Sequence, residues 1–288
     1  MQDRYVVIED CKPLADYYEG LVDNISKFSL HLQSNGEFVA SPEFQGSESA
    51  GNFVQKSRDL MRKFLSQQKE QHSVSLEGED WDTVIFPTVQ MGVFNIDQDC
   101  RLTSEILRAG LENSKYSFAT GYFNLTTSFM TDILGQRDSS YNILMAHPEA
   151  NGFLGAKFPA GGIPHAYTLI ARKFWSEAQQ KDGERLRMFE WRKAGWTFHG
   201  KGLWYSQTSL PCLTMVGSPN FGYRSERRDL ESQIVVLTRS IELQERLGQE
   251  EARLYSPASM VDLNTWKEED RQVPTWVQWV VKFARKWF

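Results

Sequence analysis

The sequence predicts an α/β protein: a sheet with helices on both faces, a reading carried by three features of its 288 residues. Short runs rich in β-branched and aromatic residues alternate with stretches of helical periodicity along most of the chain, the pattern of strand–helix units. Apolar residues make up 41% and charged residues 24%, an ordinary balance for a chain long enough to bury a sizeable core. A run near the start, Asp3-Arg4-Tyr5-Val6-Val7-Ile8, aligns without gaps to Glu231-Ser232-Gln233-Ile234-Val235-Val236, and each run precedes a predicted helix. A duplicated fold gives such a match.

The elements follow in order. Tyr5, Val6, Val7 and Ile8 read as a buried strand. A helix over 14–28 puts Leu21, Val22 and Ile25 on one face, and the Ser/Gly/Glu-rich residues 33–52 read as a surface loop. A second helix over 53–68 carries the stripe Leu60, Met61, Phe64 and Leu65. The polar stretch 69–82 marks a boundary between lobes. Beyond it come strand 83–87, helix 102–113, strand 116–121, helix 126–134, strand 141–146, helix 166–178 and strand 186–191. Such alternation argues for a mostly parallel sheet. The chain thus divides into 1–80, 81–270 and an amphipathic segment 271–288. In that last segment Pro274 opens a helix with Trp276, Trp279, Val280, Phe283 and Trp287 on one side. Gln278, Lys282, Arg285 and Lys286 fall on the other. The layout fits a helix lying in a membrane interface, and equally a terminal helix docked on the core.

Bulk properties narrow the function. The net charge is −5 and the sequence pI about 5.7, without the basic balance expected of a nucleic-acid binder. Cys11, Cys100 and Cys212 have neither zinc-site spacing nor the density of a disulfide scaffold, and read as reduced and structural. No apolar run is long enough to span a bilayer. The first residues have neither signal-peptide nor transit-peptide layout and read as mid-strand, as expected of a chain cut from a longer one.

The chemistry gathers late in the chain. Thr197-Phe198-His199-Gly200-Lys201 leads into one β-like segment, Leu213 to Gly217 forms another, and Pro211-Cys212 turns between them. His199 and Lys201 are two apart, so on an extended chain they share a face. Gly217 and Ser218 end the second segment, where small residues allow close approach to the backbone. Asn220-Phe221-Gly222-Tyr223-Arg224-Ser225 and Arg228-Asp229-Leu230-Glu231 bracket a loop that can fold back over the pair. An imidazole can attack phosphorus or protonate a leaving oxygen. Lys201 offers positive charge to non-bridging oxygens, and Ser218 and Asn220 add neutral donors. Glu231 can accept from the far imidazole nitrogen and set the tautomer. No metal or cofactor is needed. A lone His-x-Lys means little; the ordered set is what is specific. His31, His72, His147 and His165 have no comparable setting, and the Asn151-Gly152 and Gly161-Gly162 turns are ordinary loops that can also line a cleft.

These residues resemble the second half-site of the phospholipase D superfamily, His-x-Lys followed by Gly-Ser-x-Asn, Arg-Ser and an acid. The wider text is similar to the eukaryotic CDP-diacylglycerol–glycerol-3-phosphate 3-phosphatidyltransferases: His147-Pro148-Glu149-Ala150-Asn151-Gly152-Phe153, Gly161-Gly162-Ile163-Pro164 and the run from Gly217 to Glu231. The superfamily's usual Asp, seven residues past the His, is Ser206 here, an absence this synthase family shares. Gln2-Asp3-Arg4-Tyr5 resembles the end of the family's first half-site, making Asp3 the counterpart of Glu231. The resemblance implies a phospholipase D-like mixed sheet flanked by helices, with a complete second lobe and a truncated first. It implies His199, Lys201, Asn220 and Glu231 as catalytic residues, Gly217, Ser218 and Arg224 as substrate-binding residues, and no cofactor. The implied substrates are CDP-diacylglycerol and glycerol 3-phosphate, at a membrane surface in the mitochondrion. The first His and Lys would lie upstream of Met1. The alternatives are an inactive form that binds lipid or pairs with a full-length copy, and a hydrolase or nuclease completed by forming a homodimer.

Overall fold

A computed structural model describes residues 1–45, 49–72, 81–158 and 160–287, with the Trp287 side chain and Phe288 outside that description. Most of the polar stretch 69–82 also lies outside it. The chain forms two compact units: Val7–Trp81 with Met91–Ile96, and Met1–Val6 with Asp82–Gln90 and Asp97–Phe288.

In the unit beginning at Val7, helix α1 (Lys12–Lys27) starts with Pro13, whose fixed φ suits a first turn. Strands β1 (Leu30–Leu32) and β2 (Phe38–Ala40) pair antiparallel. Helix α2 (Ala50–Gln71) is capped by the Ser49 hydroxyl, which accepts from the Asn52 amide at 3.2 Å. Gly20 lets α1 lie close to α2, since a Cβ there would stand 2.8 Å from the Phe64 ring. Phe28, Phe44, Phe53 and Phe94 pack edge-on or tilted against one another, and this aromatic cluster forms the unit's core.

The other unit is built on a sheet. Its elements run β3 (Thr83–Met91), β4 (Ile96–Asp97), α3 (Gln98–Arg108), β5 (Lys115–Thr120), α4 (Thr127–Gly135), β6 (Ser140–Ala146), α5 (Ile163–Asp182) and β7 (Leu186–Trp191). Then come β8 (Gly202–Ser206), β9 (Leu213–Gly217), α6 (Tyr223–Arg227), β10 (Leu230–Thr238), α7 (Ile241–Tyr255), β11 (Ala258–Met260) and α8 (Thr275–Ala284). The strand order is β11-β7-β6-β5-β8-β9-β10-β3-β4.

The expectation of a mostly parallel sheet is corrected. β5, β6 and β7 pair parallel through helical crossovers, whereas β5–β8, β8–β9, β9–β10 and β7–β11 are antiparallel. For β8 and β9 the physical reason is the short connection 207–212, which can only turn back on itself; a parallel neighbour needs a long crossover. A mixed sheet flanked by helices is the fold class expected.

Strand alternation divides the core. Phe118, Ile143, Leu203 and Met215 face a cluster that includes Phe174 of α5 and Val277 and Val281 of α8. Ala119, Leu144 and Trp204 face the opposite cluster with Trp191, Phe198 and Leu254 of α7.

The predicted strand at Tyr5–Ile8 does not form. The sheet contact lies upstream, where Gln2 bridges Phe198 in parallel, its amide donating to Thr197 at 2.7 Å and its carbonyl accepting from the His199 amide at 2.8 Å. Tyr5 and Val7 are 84% and 76% exposed. A β-branched run is a strand only where it finds a ladder partner; here the matching run Glu231–Val236 finds one in β9 and the copy at the start does not.

Candidate active site

Three chain segments meet at the head of β8. The segment 197–201 arrives extended, pinned on one side by Gln2 and on the other by the Phe198 amide donating to Ala150 at 2.8 Å. Phe198 is buried against Trp191, which leaves the next side chain, His199, on the open side. Gly121, just past β5, lets this backbone approach: an added Cβ would lie 3.1 Å from the His199 Cα.

The Asp3 carboxylate lies 2.8 Å from His199 Nδ1, and Lys201 Nζ lies 2.9 Å from the same nitrogen. One ring nitrogen cannot serve both. A carboxylate only accepts, so Nδ1–H donates to Asp3 and the Lys201 ammonium donates to the His199 carbonyl at 2.6 Å. That tautomer leaves Nε2 with the free lone pair. Lys201 is 5% exposed; burial pushes its pKa below the ordinary lysine value, while Asp3 and Glu231 pull it back up. His199 and Lys201 therefore converge as their spacing predicted.

The partner of the imidazole is Asp3 rather than Glu231. Glu231 is buried on β10 and accepts from the Ser225 hydroxyl at 2.7 Å, and that hydroxyl accepts from the Asn220 amide at 3.0 Å. Asn220 is held through its carbonyl, which takes the Thr120 hydroxyl at 3.0 Å, while its buried Oδ1 has no hydrogen-bond partner. A buried amide oxygen left over in this way is available to a ligand. Arg224 is exposed and pairs with Asp229 at 3.0 Å. Ser218 is exposed and exchanges hydrogen bonds with the backbone of Ser232. Gly217 serves packing rather than access, because a Cβ there would sit 2.1 Å from that of Gln233 on β10. Ser206 ends β8 opposite Lys115, four residues from the strand's head, roughly 13 Å away.

Several neighbours were not expected from the sequence. Arg4 is buried, its Nη1 donating to the carbonyls of Met215 at 2.9 Å and Lys201 at 3.3 Å, and its Nη2 to Thr214 Oγ1 at 3.0 Å. Tyr122 presents its ring edge-on to His199 at 5.7 Å and packs on Tyr167 and Phe153. Burial raises the Tyr122 pKa, Arg224 lowers it and Asp3 raises it, so both charges lie near that ring. An aromatic directly after the glycine that ends a predicted strand was the available signal for Tyr122.

No protein-family model matches this chain. It is 39% identical to the mitochondrial CDP-diacylglycerol–glycerol-3-phosphate 3-phosphatidyltransferase of Bos taurus, over 313 aligned positions covering 100% of this chain and 56% of that protein. The Homo sapiens protein of the same name is also 39% identical, with the same coverage. The chain is homologous to these phosphatidyltransferases over its full length. It spans about half the length of these curated relatives, 56% in each case. The crystal structure of phosphatidylserine synthase from Haemophilus influenzae Rd KW20 shares its fold, with a TM-score of 0.63 and 20% identity over 96% of this chain and 60% of that one.

Proposed function

We propose that this chain supplies a histidine half-site of a phosphatidyltransferase that makes phosphatidylglycerophosphate from CDP-diacylglycerol and glycerol 3-phosphate, for phosphatidylglycerol and cardiolipin synthesis, at a membrane surface in the mitochondrion. The observation that carries this reading is the Asp3–His199 contact at 2.8 Å beside the buried ammonium of Lys201. It supports an imidazole oriented for proton transfer next to a positive charge for phosphate oxygens, and the homologues supply the substrates.

In this reading His199 is the acid–base residue. Protonated, it gives its Nε2 proton to the CMP oxygen as a second imidazole takes the phosphatidyl group. Neutral, it then accepts the proton of the glycerol 3-phosphate hydroxyl that displaces that imidazole. Asp3 balances the imidazolium, and the Asn220 side-chain amide is a neutral donor toward the phosphate oxygens. The sequence repeat pairs Asp3 with Glu231, which supports Glu231 as the carboxylate for the second imidazole. That imidazole comes from the longer protein or from a second copy of the chain.

The test is transfer of labelled glycerol 3-phosphate to CDP-diacylglycerol by this chain, beside His199→Ala, with the solution mass measured in parallel. Turnover that vanishes in the variant is the expected result. No turnover by folded chain, alone or with a longer homologue carrying the other half-site, overturns the proposal in favour of an inactive lipid-binding form.

A further inference from the structure

Helix α8 is apolar on two sides. Val277 and Val281 are 1% and 4% exposed and dock against α5, so this helix does pack on the core. Its other face carries Trp276, Trp279, Val280 and Phe283, all exposed, with Phe283 at 73%. Trp279 and Phe283 stack at 6.1 Å, and the Lys282 ammonium sits over both rings. The loop before α5 extends the patch: Phe158, 82% exposed, lies 5.3 Å from Trp276, and Leu154 in the same loop is exposed as well. A Cβ on Gly162 would collide with the Trp276 ring, so the helix and this loop are fitted to each other.

The helix is also fastened at its far end. Arg285 donates to the Asn124 side chain at 3.0 Å and to the Leu125 carbonyl at 2.8 Å. The exposed aromatic surface is therefore presented on a fixed helix.

We propose that α8 and the 152–158 loop form a docking surface for an anionic phospholipid bilayer, positioning the His199 site at the headgroup layer. This rests on the phosphatidyltransferase reading for the meaning of the placement, not for the binding itself. Charge names the occupant. The chain as a whole carries −5, yet residues 275–286 hold Lys282, Arg285 and Lys286 with no acid, and residues 152–158 add Lys157 with no acid. Exposed Trp and Phe ringed by lysine are what an interface of acyl chains and anionic headgroups accommodates. The patch also continues toward His199. Phe153, adjoining Leu154, packs on Tyr122 at 5.4 Å, and Tyr122 touches the His199 ring. A lipid whose acyl chains stay in the bilayer beside Leu154 and Phe158 can lift its phosphate along this aromatic wall to the imidazole.

The test uses the full chain with vesicles of phosphatidylcholine, with and without about 30 mol% phosphatidylglycerol. Binding is followed by co-sedimentation and by the blue shift of tryptophan emission. Trp279→Ser/Phe283→Ser should weaken binding to the anionic vesicles by about tenfold or more. Lys282→Gln/Lys286→Gln should remove most of the preference for anionic over neutral vesicles. All four positions are exposed, so circular dichroism should be unchanged. Equal binding by the Trp279/Phe283 variant overturns the proposal, as does wild-type protein that ignores both vesicles. Binding with these signatures but no transferase activity upholds the surface and sinks only the enzymatic reading.

Discussion

Arg4 lies flat on Trp204, with its guanidinium carbon 3.6 Å from the ring centroid, and its Nε and Nη2 grip Glu250 of α7 at 2.8 and 2.9 Å. The Trp204 indole donates to the same carboxylate at 3.1 Å. This cage fixes the residue next to Asp3, and its bond to the Lys201 carbonyl fixes the other end of the His-x-Lys pair. Arg4 therefore positions both the carboxylate partner of the imidazole and the neighbouring Lys201 without touching the ring.

Replacing Arg4 by Lys keeps the charge and loses the fork and the stacking. Because Glu250 is about a third exposed, part of the pair is screened, and the expected destabilisation is about 2–3 kcal/mol. Chemical denaturation measures it. Under the proposed reaction, kcat should fall while KM holds, because the variant disturbs the orientation of His199 rather than substrate contacts. A rise in KM with kcat intact would contradict a positioning role.

Asp3→Asn isolates the carboxylate. An amide oxygen can still accept from Nδ1–H, but the negative charge that balances the imidazolium is gone. Transfer should fall by about 100-fold or more, with stability changed by less than about 1 kcal/mol because the Asp3 side chain is about a third exposed. Single-turnover kinetics and a melting curve, run on the same preparation, separate the two.

How much of this was legible beforehand differs by residue. The strand 186–191 was read to the residue because a short apolar-rich run bounded by a long helix and a polar loop is a local signal. His199 and Lys201 were legible as neighbours because spacing on an extended chain is a local property, whereas the expected contact of Glu231 with the imidazole was not found: Glu231 and Asn220 meet at Ser225. The Asp3–His199 contact joins residues 196 apart, and no periodicity carries such information. Asp3 and Glu231 were recognised as a repeat, but which imidazole each carboxylate meets is decided by how Gln2 docks beside Phe198. Arg4 was hidden for the same reason: its partners Thr214 and Met215 on β9 and Glu250 on α7 all lie more than 200 residues away. On α8 the aromatic side was legible, whereas Val277 and Val281 as the docked side were not, since a helix with two apolar sides does not declare which of them it buries.

Lys201 gives a pH signature. Burial holds its pKa below the usual lysine value, so its charge is lost at lower pH than for an ordinary lysine. If that charge stabilises phosphate oxygens, the alkaline limb of kcat/KM falls below the usual lysine range, and Lys201→Arg moves it upward. The sign for stability is opposite. A base with a lowered folded pKa binds fewer protons when folded, so as pH rises from that value toward the unfolded one the fold gains stability. Lys201→Met should fold and remove this alkaline gain, as pH-dependent denaturation would show.

Gly202 opens β8 at φ 137°, a backbone that L side chains rarely adopt, and a Cβ there would stand 2.0 Å from Arg4 Nη1 and 2.3 Å from the Met215 carbonyl. Gly202→Ala should cost about 2–4 kcal/mol through strain and expulsion of Arg4 together. In a double mutant with Arg4→Ala the two losses should be clearly less than additive, because both break the same contact. Full additivity would mean the strain is all in the backbone.

The Glu190–Arg271 pair is the most deeply buried ion pair described, bidentate at 2.7 Å for both bonds with side chains 5% and 1% exposed. Burial pushes the Glu190 pKa up to about 7 while Arg271 pulls it down. Arg271→Met strands the carboxyl and should destabilise by about 3–5 kcal/mol at neutral pH. The variant's folded pKa rises further, so its folded state binds the extra proton and stability falls as pH climbs above the ordinary Glu value of 4.5. The loss relative to wild type should therefore be smaller at about pH 5 than at about pH 8. Adding Glu190→Leu should recover most of it, since two apolar side chains leave no charge to bury. Denaturation of the wild type and both variants at both pH values checks this; a loss that ignores pH would place the role of Arg271 in packing rather than in charge.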